Sequence, residues 1–171
     1  MSIQSNFAIN KPSLVLDFAE SKQLDPKITF TRSSSATYYD QSGLLKTSTT
    51  NTPRFDHNPV TGESLGLLIE ESRTNLLTYS NQFDNAVWTK VNGTVSTDVD
   101  IAPNGTLTAD SITGSSSVSN NKYVWQSATT STTTTYTASV YLKAGTQSIV
   151  VLRTCDNTGV NGARVAAVNL N

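Results

Sequence analysis

Apolar and polar residues alternate over short stretches near the start of this chain, a pattern typical of β-strands with one buried face. Leu14, Leu16 and Phe18 fall on one face of the first stretch. Ile28 and Phe30 fall on one face of the second. We therefore predict short strands at both places.

The next part of the chain predicts two β-hairpins, because each pair of strand-like runs flanks a turn that closes on glycine. Glycine supplies the left-handed backbone dihedral that such turns need. In order along the chain, the predicted strands and turns are 36–39, turn 40–43, 44–47, then 54–57, turn 58–62 and 64–69.

The densest apolar run in the sequence, Leu65–Ile69, ends the second predicted hairpin and is followed directly by Glu70, Glu71 and Arg73. A run this hydrophobic has to be buried against something, and little else nearby is apolar enough. We therefore expect it to pack against other copies of the same chain. Paired Arg and carboxylate groups at such an interface fix its register, so Glu70 and Arg73 are predicted to contribute to it.

Beyond residue 80, seven short strand-like pieces recur at intervals of roughly 8–12 residues, separated by turn sequences, which favours an antiparallel β-sandwich. They are 88–91, 94–99, 108–112, 123–126, 136–142, 148–154 and 163–170. A jelly roll has about eight strands, so we expect this sandwich to be incomplete at the C-terminal end. The predicted domains are a flexible or docking arm (1–12), a β-hairpin attachment and oligomerisation module (13–80) and a jelly-roll-like sandwich (81–171).

Composition agrees with an all-β fold. Charged residues make up only 15% of the 171, while Ser and Thr together supply about 28%. Thr suits pleated surfaces, and the Lys- and Glu-rich patterns of helices are missing. The net charge of -1 lacks the excess of positive charge that is typical of nucleic-acid-binding proteins. No apolar run approaches the roughly 18 residues of a membrane span.

Few residues suggest chemistry. Asp56 and His57 with Glu63, Glu70 and Glu71 nearby form a candidate acid–base cluster, but sequence adjacency does not establish the fixed distances that catalysis requires. A single His and the single Cys155 permit neither a multi-histidine metal site nor an intrachain disulfide. We predict no catalytic, cofactor-binding or metal-binding residues, and no enzyme.

Two aromatic residues, Tyr123 and Trp125, alternate on one face of a predicted strand. Exposed rings of this kind stack on sugars in many β-sandwich modules, which makes the pair a candidate glycan contact. The alternative is that they fill the sandwich core, as we predict for Phe83 and Trp88.

Four sequence segments occur in a fixed order over residues 14–80: Leu16–Phe18, Leu24–Tyr38, Pro53–Glu63 and Gly66–Leu77. Together they resemble a module of tailed-phage virion proteins found in tail fibres, tailspikes and head spike fibres. The later part is more loosely similar to the carbohydrate-binding-like jelly rolls that follow this module. The residues and segments that match are Phe83, Trp88, Thr108–Asp110, Tyr136–Tyr141 and Lys143–Gly145.

This resemblance implies a virion appendage, assembled in the host cytoplasm as a homotrimer and attached through its N-terminal region to tail, baseplate or capsid proteins. It implies no catalytic residues. Threefold association would bury Leu65, Leu67 and Ile69 against their copies, with Leu68 facing the chain's own strands. The alternatives are a glycan-binding adhesin module and an accessory domain of a carbohydrate-active enzyme.

Overall fold

A computed structural model describes residues 13–116, 122–131, 133–155 and 164–170. The predicted arm, residues 1–12, lies outside the described residues. Within them every strand pairing is antiparallel and no helix occurs. The prediction of an all-β fold is therefore confirmed.

In the described parts of the chain, ten strands pair into five separate two-stranded sheets: β1 with β2, β3 with β4, β5 with β8, β6 with β7, and β9 with β10. Their bounds are β1 Ala36–Tyr39, β2 Leu45–Ser48, β3 Phe55–His57, β4 Ser64–Leu67, β5 Thr89–Val91, β6 Gly93–Ile101, β7 Leu107–Gly114, β8 Tyr123–Trp125, β9 Ile149–Thr154 and β10 Arg164–Asn169. Both predicted hairpins are confirmed by the β1–β2 and β3–β4 pairs. The described strands do not join into one larger sheet, so the sandwich stays a prediction.

The chain divides into two compact units after Ser127. The first unit contains β1–β8 and the second contains β9 and β10. The domain boundary predicted at residue 80 falls inside the first unit. Hydrogen bonds cross it: the Leu45 amide donates to the Pro103 carbonyl over 2.9 Å, and Gln126 exchanges two bonds with the Thr78 backbone over 2.9 and 3.0 Å.

Three predicted strands are absent where the structure describes them: 14–18, 28–31 and 136–142 form no ladder. Both of the first two stretches are bound by Asp25. Its carboxylate accepts the Val15 amide over 3.1 Å, and its backbone carbonyl accepts the Ile28 amide over 2.8 Å in a turn. Short polar side chains of this type compete with sheet formation, and alternation alone did not reveal it.

The β1–β2 turn is held by the carboxylate of Asp40, which accepts the amides of Ser42 and Leu44 over 2.9 and 3.0 Å. Gly43 closes the turn with a φ of 75°, in the left-handed region. These bonds, that from Leu44 above all, hold the pKa of the Asp40 carboxyl below its usual value. The turn thus forms for the reason that its sequence predicts.

Side chains of Arg54 and of β3 bind the backbone of β1, although β1 and β3 form no ladder with each other. The Arg54 guanidinium donates to the Thr37 carbonyl over 2.7 Å, and the Asp56 carboxylate accepts the Tyr39 amide over 2.7 Å. Nδ1 of His57 lies 3.0 Å from the Tyr39 carbonyl oxygen, so this nitrogen carries the proton. The two hairpins are thereby joined through polar contacts rather than through an apolar core.

Trp88 is the single hydrophobic residue that is buried in the described part of the chain. Its ring lies 4.8 Å from that of Phe83, and its indole N–H donates to the Tyr79 carbonyl over 2.9 Å. The Phe83 amide is bound in turn by the Asp110 carboxylate over 2.7 Å. The prediction that Trp88 is a core residue is confirmed.

Candidate functional site

The Leu65–Ile69 run lies at the surface of the first unit. Leu65 is 61% exposed and Ile69 is 79% exposed, while Leu67 and Leu68 are half-buried. The Leu68 amide donates to the Arg54 carbonyl over 2.9 Å, which holds the end of the run against β3. Most of the hydrophobic surface that the run contributes therefore has no partner within the described chain.

An irregularity in the β3–β4 ladder explains why Leu65 points away from it. Asp56 pairs with Gly66 and His57 pairs with Ser64, so Leu65 is an extra residue between two consecutive pairs. Gly66 has a φ of 85°, a conformation that side chains rarely adopt. This is a β-bulge, a feature that redirects side chains and ends regular pairing.

A shallow open groove runs beside the bulge. One wall is formed by Leu16, Phe18 and their neighbours, and the other by Leu65, Gly66 and Leu67. None of the backbone hydrogen bonds in the described chain joins residues 16–19 to β4. Leu16, Phe18, Leu65 and Leu67 contribute apolar side chains to this groove, and Asp17 contributes a polar one.

Glu70 and Arg73, predicted to set the register of an interface, both have partners within the chain. The Glu70 carboxylate lies 2.6 Å from the Arg54 guanidinium, whose side chain is only 5% exposed. Arg73 pairs with Glu71 over 2.7 Å, and both side chains are more than three-quarters exposed. Glu70 therefore joins the last residues of the run to β3, whereas Arg73 and Glu71 stay at the surface.

The candidate acid–base residues Asp56 and His57 form a structural contact instead. Both bind the Tyr39 backbone, as described above, and His57 is 5% exposed rather than a surface turn residue. Sequence reasoning missed the capping role of Arg54, Asp56 and His57 on β1. The available signal was three polar residues among the four of a predicted strand, Arg54–His57.

Tyr123 and Trp125 lie side by side on β8, and each is 48% exposed. Their cross-strand partners on β5 are Val91 and Thr89. Since side chains alternate along a strand, Tyr123 and Trp125 lie on the same face of the β5–β8 sheet. Two half-exposed rings on one sheet face form a flat apolar surface open to solvent.

Groups that would indicate other chemistry are absent from the described residues. There, no three His, Cys, Asp or Glu side chains come close enough to share a metal ion. The same part of the chain contains no helix of the length and hydropathy that crossing a membrane requires. Cys155, directly after β9, is a free and exposed thiol.

Comparison of the chain with models of known protein families, with curated proteins and with solved structures found no match. The function is therefore inferred from the exposed Leu65–Ile69 run, from the aromatic pair on β8 and from the sequence resemblance.

Proposed function

We propose that this protein is a structural component of a phage virion, a homotrimeric fibre or spike that is anchored through its N-terminal region. It has no catalytic role in this proposal. Its partners are further copies of itself and other virion proteins, and its place is the assembled particle.

The observation that carries the proposal is the unpartnered apolar surface of the attachment module. Leu65 is 61% exposed and Ile69 is 79% exposed, and Leu16, which lines the groove together with Leu65, is 62% exposed. Scattered exposed apolar residues are normal on monomers, but contiguous ones mark association sites.

The weak core supports the same conclusion. Within the described residues the first unit has one buried hydrophobic side chain, Trp88. Separate two-stranded sheets are marginally stable in water unless a further strand or a partner covers them. A trimer supplies that cover, and its closed symmetry also protects strand edges from open-ended pairing.

Two measurements test the proposal. Sedimentation equilibrium of the purified chain at micromolar concentration is expected to give three times the monomer mass of 18.3 kDa. Immunogold electron microscopy of phage particles encoding the chain is expected to label an appendage. A monomer, or particles that bind no antibody, would overturn the proposal.

A second candidate function, glycan contact, is favoured by one observation: Tyr123 and Trp125 share the solvent-facing side of the β5–β8 sheet. Aromatic faces bind the apolar C–H faces of sugar rings, and successive same-face residues on a strand lie about 7 Å apart. The candidate would supply host-surface attachment within the same fibre.

Its test compares the double variant Tyr123→Ala with Trp125→Ala against the wild-type chain. Binding to host cells is expected to fall at least tenfold while the circular dichroism spectrum is unchanged. Loss of the folded spectrum would show that the two rings stabilise the sheet, and unchanged cell binding would exclude them from the contact.

A further inference from the structure

We infer that the β5–β8 sheet selects neutral polysaccharides over acidic ones, with the Thr89 hydroxyl as a third contact beside the rings of Tyr123 and Trp125. The inference rests on the glycan contact proposed above as the second candidate function, because it names the class of glycan. Neutral selection has two consequences that glycan contact alone lacks. Binding should be insensitive to salt, and one threonine should matter in addition to the two rings.

The first step concerns which side chains share a face with the two rings. Residues directly opposite each other in an antiparallel ladder lie on the same side of the sheet. Thr89 pairs with Trp125, and Val91 pairs with Tyr123. The aromatic face therefore consists of Thr89, Val91, Tyr123 and Trp125. Val91 is half-buried, and the other three are exposed.

The second step concerns the lysines of the same region, which are directed elsewhere. Lys90 is the middle residue of β5, so alternation places its side chain on the other side of the sheet. Its ammonium donates to the carbonyls of Asp84 and Asn85 over 2.7 and 2.6 Å. Lys122, directly before β8, has its aliphatic stem packed against Gly114 of β7. The four side chains of the aromatic face are themselves uncharged.

An uncharged face distinguishes glycans by their charge. A carboxylate or sulfate group pressed against it would lose hydration and gain no cation in return, which is costly. A neutral sugar can instead bond the polar groups that the face offers at exposed positions: the hydroxyls of Thr89 and Tyr123 and the indole N–H of Trp125. The N–H of the buried Trp88, by contrast, is already bonded to the Tyr79 carbonyl. The aromatic face thus fits a neutral sugar chain.

The first test uses the full wild-type chain. Polysaccharide extracted from the host-cell surface is separated by anion exchange into a neutral and an acidic fraction, and each fraction competes with binding of the chain to host cells. We expect the neutral fraction to inhibit binding and the acidic fraction to have no effect at the same sugar concentration. Inhibition by the acidic fraction alone, or by neither fraction, would overturn the inference.

Salt provides an independent check on the same chain. Attraction between exposed opposite charges is screened over about 10 Å at about 0.1 M salt and over about 3 Å at about 1 M. We therefore expect binding to host cells to change less than about twofold between these two concentrations. A larger fall would show that charge carries the contact, and neutral selection would be wrong.

The Thr89 contact is tested with Thr89→Val, which removes the hydroxyl and keeps a β-branched side chain. We expect binding to weaken by about threefold to tenfold, the effect of one hydrogen bond. Thr89→Ser keeps the hydroxyl and is expected to bind like the wild type. The matched control is Thr94→Val, because Thr94 is an exposed threonine of β6 outside the aromatic face. Equal binding by Thr89→Val and Thr94→Val would exclude Thr89.

The outcomes separate this inference from the glycan contact on which it rests. If Tyr123→Ala with Trp125→Ala binds cells like the wild type, the rings are not the contact and both ideas fail. If that variant loses binding, but the acidic fraction alone competes or salt weakens binding, the glycan contact stands and neutral selection is wrong. The competition and salt tests need no variant, so they decide the question even if Thr89→Val fails to fold by circular dichroism.

Discussion

At the scale of single residues, Arg54 connects more of the structure than any apolar side chain in its hairpin. Its guanidinium bonds the Thr37 carbonyl of β1 and the Glu70 carboxylate, and its backbone carbonyl accepts the Leu68 amide. Both side-chain bonds come from one nitrogen, Nη1, which lies farther from the backbone than the ammonium of a lysine reaches, so lysine reproduces them poorly. Arg54 thus joins both hairpins and the end of the apolar run.

We expect Arg54→Lys to destabilise the fold by about 1–2 kcal/mol, the cost of one or two charge-assisted hydrogen bonds at a buried position. Arg73→Lys is the matched control, because the Arg73–Glu71 pair is exposed and surface pairs contribute at most about 1 kcal/mol. Urea denaturation followed by circular dichroism measures both. Equal effects of the two substitutions would contradict the role assigned to Arg54.

A second residue-scale prediction concerns pH. The amides of Leu44 and Ser42, together with Lys46, lower the pKa of Asp40 below its ordinary value of 3.8. A lowered folded-state pKa means that the stabilisation is fully present above pH 3.8 and is lost as pH falls through the lower value. We expect Asp40→Asn to lower the melting temperature at pH 6, with a difference that shrinks as pH falls below 3.8.

Asparagine keeps an oxygen that accepts the Ser42 and Leu44 amides, so this substitution isolates the effect of the charge. Melting curves of both chains across this pH range provide the measurement. A difference that stays constant down to about pH 2 would show that the charge of Asp40 is not the cause.

At the scale of elements, the two tryptophans of the β5–β8 region differ in burial. Trp88, directly before β5, is buried against Phe83, whereas Trp125 on β8 is half exposed. One tryptophan therefore supports the fold, and the other keeps about half of its surface in contact with solvent.

We expect Trp88→Ala to destabilise the first unit by about 3–5 kcal/mol, the usual cost of removing a large buried aromatic side chain. Trp125→Ala is expected to cost about 1 kcal/mol, because half of its surface is already in water. Chemical denaturation monitored by circular dichroism distinguishes them. Similar losses for both variants would show that Trp125 is also part of the core.

At the scale of the whole molecule, the two units differ in what can hold them together. The first contains eight strands and Trp88, while the second contains one hairpin, β9–β10, with no buried hydrophobic side chain among its described residues. Isolated two-stranded hairpins are marginally stable in water. The two units should therefore respond differently when separated.

We expect a chain ending at Ser127 to keep the melting transition and the tryptophan fluorescence of the full chain. A chain of residues 128–171 alone is expected to show no cooperative transition. Differential scanning calorimetry of the two pieces measures this. If the chain ending at Ser127 is unfolded, the first unit requires residues 128–171 in order to fold.

The hairpins could be predicted from sequence because their signals are local. Alternation over four residues, a turn closing on Gly43 or Gly62, and an Asp or Asn at the start of each turn all act within about ten residues of one another. The all-β class, both N-terminal hairpins and the core position of Trp88 followed from such signals. The strands predicted at 14–18 and 28–31 are wrong because the Val15 and Ile28 amides bind Asp25, which lies outside both stretches.

The candidate site was predicted in part. Its apolar residues could be read from the run Leu65–Ile69, because an unusually hydrophobic segment needs a partner whatever its exact conformation. Which of those residues face outward depended on the bulge, and the β3 residues Asp56 and His57 became structural because of the position of Tyr39 on another hairpin. Neither the bulge nor the position of Tyr39 beside β3 can be read from sequence periodicity.

By itself, then, the sequence determined the all-β class, the two N-terminal hairpins with their turns, and the presence of an unusually apolar run. Only the tertiary structure decided that Arg54 takes Glu70 as an internal partner, that Leu65 leaves the ladder, and that Leu16 lies across a groove from it. The physical reason is range: turns and alternation depend on neighbouring residues, whereas bulges, ion pairs and grooves depend on how distant segments meet.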